Sequence, residues 1–168
     1  MKGTKNSTST LIILLGLLSL VPLVGPLLNL LKSGNLRKKM STINDNGPII
    51  YNLLLSAGFN EKFAAWITAQ SAHETGNFSS SIFKNNFNAF GMKYAGQATA
   101  RGEKNGYAFY NSLEESVRDY KRLYKSYGMI FTDTIEGFVI ILKNKGYFEA
   151  PIEEYLAGVK HFLKLYSA

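Results

Sequence analysis

The stretch that most restricts this chain is Leu11–Leu31, LIILLGLLSLVPLVGPLLNLL, twenty-one residues without a charged side chain. As a helix, that length crosses a hydrocarbon layer of about 30 Å. A core helix of a small domain would carry one polar stripe, which this run lacks. A cleaved signal peptide would have a shorter apolar stretch and a small-x-small cleavage site. Pro22, Gly25 and Pro26 are compatible with a membrane span, where neighbouring groups re-satisfy the freed backbone. The expectation is one transmembrane helix at 11–31 that meets the lipid bilayer, between a flexible start at 1–10 and a basic linker at 32–45. The folded part is then 46–168.

Charge follows the same division. Of 19 basic residues, Lys2, Lys5, Lys32, Arg37, Lys38 and Lys39 fall in the first forty positions, where no acid occurs. The folded part is nearly neutral, so the net +7 describes an arm beside anionic lipid. It does not describe the basic face of a nucleic-acid-binding domain, and no nucleic acid is expected as a partner. The basic residues after the apolar run would hold the folded part on the cytoplasmic side of a cell membrane. There is no cysteine, which excludes disulfides and thiolate metal sites. His73 and His161 are too few for an all-histidine cage, so no metal or cofactor is expected.

Within 46–168 the periodicity is helical. Asp45 or Asn46 starts a helix with Pro48 in its first turn and Ile49, Ile50, Leu53 and Leu54 as its apolar face. Asn60 caps a second helix, in which Phe63, Trp66, Ile67 and Gln70 share a face and Gly76 marks the stop. Phe90–Tyr94 and Tyr107–Asn111 read as short strands joined by a loose 95–106 hairpin loop. Ser112 and Glu115 form a capping-box pattern that opens a helix running to about Tyr127. Two more helices follow, one with Ile135, Phe138, Val139 and Leu142 inward, the other begun by Pro151. The plan is mainly α, in the α+β class, with a small β-hairpin lobe.

Glu74 is the residue that stands out chemically. It lies four positions after Gln70 and seven after Ile67, hence near the inward face. It also lies at a helix C-terminus, the unfavourable end of the dipole for a negative charge. A carboxyl held there should have a raised pKa, which suits a general acid. His73, next to it, points about 100° away on the helix and reads as a structural neighbour. Trp66, Phe83, Phe87 and Phe90 are available as stacking platforms, with core packing the competing role.

Four motifs occur in order: Ala69-Gln70-Ser71-Ala72-His73-Glu74-Thr75-Gly76, Asn88-Ala89-Phe90-Gly91-Met92-Lys93, the Phe109–Tyr120 segment FYNSLEESVRDY, and Gly146-Tyr147. Together they resemble the glucosaminidase family of peptidoglycan hydrolases, glycoside hydrolase family 73. The resemblance spans about residues 65–155 and implies a lysozyme-like domain that cuts glycan strands after N-acetylglucosamine. It implies Glu74 as the catalytic acid, Asn88, Phe90 and Gly91 as the cleft floor, and Tyr147 near the reacting sugar. Gln70 and Tyr110 join the expected sugar-binding set, while Ser112, Ser116 and Asp119 have sufficient structural roles.

The partner of Glu74 stays open. The β-lobe carries one acid, Glu103, as candidate base, with a solvated loop charge as the competing reading. The substrate's own acetamido group is the other candidate. Two other functions remain at this point: a lytic transglycosylase or muramidase on the same fold, and a non-catalytic glycan-binding protein. The Glu-Thr-Gly and Gly91-Met92-Lys93 elements differ from the Glu-Ser and Gly-Leu-Met-Gln pattern of the transglycosylases. The apolar run suggests a bacterial cell envelope or the membrane of a phage virion as the location.

Overall fold

A computed structural model describes residues 44–128 and 132–167. These fall within one compact unit, Lys38–Ala168. The expected span at 11–31, with 1–10 and 32–43, lies outside the described residues. No helix among the described residues is long and apolar enough to cross a membrane.

The elements are α1 (Asn46–Ser56), α2 (Glu61–Glu74), α3 (Ser81–Asn86), β1 (Gly102–Lys104), β2 (Tyr107–Phe109), α4 (Leu113–Tyr127), α5 (Ile135–Asn144) and α6 (Ile152–Tyr166). This is a mainly helical domain with one two-stranded antiparallel hairpin, consistent with the lysozyme-like α+β plan.

α2 is the axis. From Phe63 to Ala72 only Ala65 is not buried, so this helix is covered on nearly every side, as expected of a central helix. Ala64, Ala69, Ser71 and Ala72 let neighbours approach its backbone, and α6 and α1 are its main helical contacts. Its start is fixed by Asn60, whose side chain accepts from Phe63 N at 2.9 Å. Its end is a tight turn in which Gly76, Asn77 and Phe78 all have positive φ (56°, 56° and 61°). That conformation disfavours side chains, so it needs outside support. Thr75 supplies some by bonding Ser71 O and Phe78 N. Asn44 Nδ2 donates to Asn77 O at 2.9 Å, and Tyr166 Oη donates to Asn77 Oδ1 at 2.5 Å.

Other ends differ in detail from the sequence expectation. At α1 neither Asp45 nor Asn46 supplies the cap; Asn44 Oδ1 accepts from Asn46 N at 3.0 Å, and Asp45 makes no side-chain cap bond. Ile49 is turned outward at 47% exposure, because the buried stripe narrows to Ile50 and Leu54. The Ser112 cap forms, but Glu115 does not reach back to Ser112 N. Its carboxylate accepts from Asn111 N at 2.9 Å and pairs with Arg101, tying α4 to the β-lobe.

The hairpin also needs correction. The tight pair is β1 with β2, Glu103 opposite Ala108, closed by Asn105 and Gly106 at φ 57° and 80°. Two positive φ values in a two-residue turn match the right-handed twist of the strands. The expected strand at 90–94 survives as a Lys93–Tyr107 bridge with two backbone bonds, Ala108 N to Met92 O at 2.9 Å and Tyr94 N to Gly106 O at 3.3 Å.

The 88–93 segment depends on one buried amide. Asn88 Oδ1 accepts from Phe90 N and Met92 N at 3.3 and 3.0 Å, while Nδ2 donates to Met92 O and Ala108 O at 2.8 and 3.0 Å. Replacing Asn88 by Ala would leave several buried backbone groups unpaired, at a cost of about 3 kcal/mol. Denaturant unfolding of Asn88→Ala should show that loss, with the segment's amides exchanging faster.

Candidate active site

Glu74 is the last residue of α2, and the left-handed turn that follows presents its half-buried carboxyl to a cleft of about 570 Å³. One side of this cleft is Gly91, Met92, Lys93, Ala95 and Gln97, with Tyr107 of β2. The other is Gly146–Glu149, with Leu123 and Tyr127 from α4. Hydroxyl, amide, ammonium and carboxylate groups on this lining suit a polyhydroxylated ligand. A separate, mostly apolar hollow of about 440 Å³ is lined by Gly47, Tyr51, Glu61, Lys62 and Tyr166. It runs along the first half of α2, from Glu61 to Thr68, about 9 to 20 Å along the helix from Glu74. The chemistry therefore belongs to the polar cleft.

Burial raises the Glu74 pKa above the ordinary carboxylate range. Against it works one hydrogen bond, from Tyr155 Oη to Glu74 Oε1 at 2.5 Å, which favours the charged form. Burial and the facing carboxyl hold the Tyr155 phenol far above its own ordinary range, so it remains a donor. Tyr155 is wedged in place. Phe148 stacks on it at 3.6 Å, and His73 meets it edge-on at 4.8 Å. His73 also fills the space over Gly158, where a Cβ would come within 2.3 Å of the imidazole. Burial lowers the His73 pKa, with Glu154 opposing, so the ring is neutral packing at neutral pH.

Gly91 lies beside the other carboxyl oxygen. Its φ is 61°, and a Cβ there would sit 3.7 Å from Glu74 Oε2, in the space a sugar oxygen needs. Tyr147 lines the cleft and donates its hydroxyl to Phe90 O at 2.6 Å, which fixes the backbone just before Gly91. Burial first, then the neighbouring Glu74, keeps this phenol well above its ordinary range.

Several residues expected to contact sugar lie behind the lining and bond the backbone that forms it. Gln70, Asn88, Phe90 and Tyr110 are fully buried and none lines the cleft, so the direct sugar-binding role expected of them gives way to a positioning one. Gln70 Oε1 accepts from Tyr120 Oη, and the Tyr120 ring stacks on Phe90 at 4.1 Å. Ala89 is held by two serines, with Ser71 Oγ donating to its carbonyl at 2.5 Å and its N–H donating to Ser116 Oγ at 3.1 Å. Asp119 accepts from Thr99 N, pinning the loop that ends the Ala95–Gln97 lip. Trp66 and Phe83 are core residues. Phe87 is exposed but does not line the cleft.

Glu103 is not brought to Glu74. It is exposed, does not line the cleft, and pairs with Ala108, so it stands on the opposite strand face from cleft-lining Tyr107. The cleft does contain a second carboxylate, Glu149, which the sequence reading passed over because it lies in a loop with no periodic pattern. Tyr155 was also missed. The available signal was its hydroxyl on an apolar stripe, since a buried phenol needs a partner. Among the described residues no three His, Asp or Glu side chains gather to hold a metal ion.

Comparison with known families matches residues 57–167 to the model of mannosyl-glycoprotein endo-beta-N-acetylglucosaminidase. The chain belongs to the glucosaminidase family. The match covers all the elements around the cleft, from α2 to α6. No curated protein and no solved structure matches the chain. Membership supports a peptidoglycan hydrolase in general, with glycan strands as the substrate class.

Two predictions follow from the balance at Glu74. Tyr155→Phe removes the bond that lowers its pKa, so the alkaline limb of the activity–pH profile should move upward, with kcat reduced about tenfold. Glu74→Gln should raise stability. A carboxyl whose folded pKa is raised destabilises the fold as pH rises from its unfolded value through the folded one. The gain in Tm should be full above the raised pKa and vanish below about pH 4.5, measured by thermal melts across pH.

Proposed function

We propose that this glucosaminidase hydrolyses the glycan strand of peptidoglycan on the reducing side of N-acetylglucosamine. The observation that carries this reading is the carboxyl of Glu74, its pKa raised by burial and its position open to a polar cleft. In the reaction Glu74 protonates the oxygen leaving the anomeric carbon, and water completes the cleavage. Tyr155 steadies the carboxylate that results. Gly91 leaves room for the glycosidic oxygen, and Lys93, Gln97, Tyr107 and Tyr127 are available to sugar and stem-peptide groups. The uncharged run at 11–31 is the proposed anchor in a lipid bilayer, which suits wall lysis or remodelling at a bacterial envelope. A phage lysin or a wall-opening protein of a membrane-containing virion fits the same arrangement.

Purified sacculi treated with the full chain should release new reducing ends that are N-acetylglucosamine. Glu74→Gln should lower that release by at least about 10³-fold while the domain stays folded. Mass spectrometry of the products decides the type of cleavage: anhydro-muramic ends would mark a transglycosylase, and muramic reducing ends a muramidase. Sacculus binding without turnover by the unaltered chain would mark a glycan-binding protein.

A further inference from the structure

We infer that Glu149 is the second catalytic carboxylate, the base that activates water opposite Glu74. This rests on the reading of the cleft as a glycosidase site. Glu149 is the other carboxylate on the lining, and it comes from the wall that α5 and α6 build, not from the β-lobe. Its main chain is fixed residue by residue. Tyr147 is bonded to Phe90 O, Phe148 is stacked on Tyr155, and Lys143 Nζ donates to the carbonyls of Glu149 and Ala150 at 2.7 and 2.9 Å. Tyr155 in turn holds Glu74. The main chain that carries Glu149 is thus tied to the Glu74 carboxyl through one stacked ring pair and one hydrogen bond. A merely solvated loop charge would need no such anchoring.

Glu149 is exposed on the wall, whereas Glu74 is half-buried at the end of α2. The role inferred for Glu149 is that of a base acting through an intervening water, which requires about 6.5–9.5 Å between the two carboxyl groups. The Glu149 carboxylate takes one proton from water, and the oxygen of that water bonds to the anomeric carbon. The bond from that carbon to the leaving oxygen breaks with its electron pair, and this oxygen takes the proton of Glu74. One water is consumed, and exchange with solvent returns a proton from Glu149 to Glu74. A single displacement at a β-linkage yields the α-anomer.

The test uses the full chain and a soluble β-linked peptidoglycan oligosaccharide. Proton NMR before mutarotation should show the α-anomer as first product. Glu149→Gln should lower kcat by about 10² to 10⁴-fold with an unchanged melting temperature, while Glu103→Gln keeps activity. Azide should restore turnover to Glu149→Ala and give the α-glycosyl azide. A β-anomer as first product, which acetamido assistance would give, overturns the proposal, as does full activity in Glu149→Gln. Glu74→Gln run alongside separates the two levels. If it is inactive while Glu149→Gln is active, only the assignment of Glu149 falls; if both are active, the reading of the cleft falls too.

Discussion

The structure depends on keeping one carboxyl partly out of water without trapping it in its neutral form. Three influences disfavour charge on Glu74: its burial, its place at the C-terminal end of α2, and the apolar neighbours that make α2 a core helix. Alone, they would push its pKa further up. The Tyr155 hydroxyl is the counterweight, a neutral donor that stabilises the carboxylate without a permanent positive charge. A lysine or arginine in its place would favour the ionised form of Glu74 and work against the acid role proposed for it. The aromatic cage of His73, Phe148 and Tyr155 thereby has a chemical purpose beyond filling space.

That demand also explains why α2 ends as it does. A helix covered on nearly all sides ordinarily hides its last residues as well. Here the chain leaves through three consecutive left-handed residues, which turns it sharply and opens the end of the helix to the cleft. The conformation is unfavourable for Asn77 and Phe78, and it is maintained by contacts from both ends of the domain: Asn44 before α1 and Tyr166 at the end of α6. Phe78 is buried against Phe83 and Tyr166, so core packing offsets part of the backbone cost. The placement of the acid is therefore a property of the whole domain, which favours a rigid site over one assembled on ligand binding.

Much of this was legible in the sequence, for identifiable reasons. Asn60 and Ser112 announced their helices because a side-chain cap is a local interaction. Glu74 was legible because an acid on an apolar stripe conflicts with local rules, and such conflicts collect at functional sites. The hairpin was misplaced because β1 reads Gly-Glu-Lys and has no alternating pattern to find; the Asn105-Gly106 turn was the better guide. Gln70, Asn88, Phe90 and Tyr110 show a different limit. A motif records that residues are needed together, not which of them meets the ligand. Most of the motif here shapes the backbone that carries Gly91, and the glycine lies beside the Glu74 carboxyl, where a side chain would fill the space.

The two cleft walls have a common logic. Neither is a regular element over most of its length, yet both are as constrained as one. Side-chain groups take over the backbone bonds that a helix or strand would have supplied: Asn88, Ser71 and Ser116 on one side, Lys143 on the other. Irregular backbone leaves its remaining polar groups, and the side chains between the anchors, free to face a sugar. A strand or helix edge would have spent those groups internally. The Tyr147–Phe90 bond joins the two walls directly, from a loop after α5 to the segment before Gly91. The spacing across the cleft is thus set by a phenol of fixed length. A geometry of that kind can hold an acid and a water-borne attack on opposite sides of one bond, because neither wall can move without breaking the link to the other.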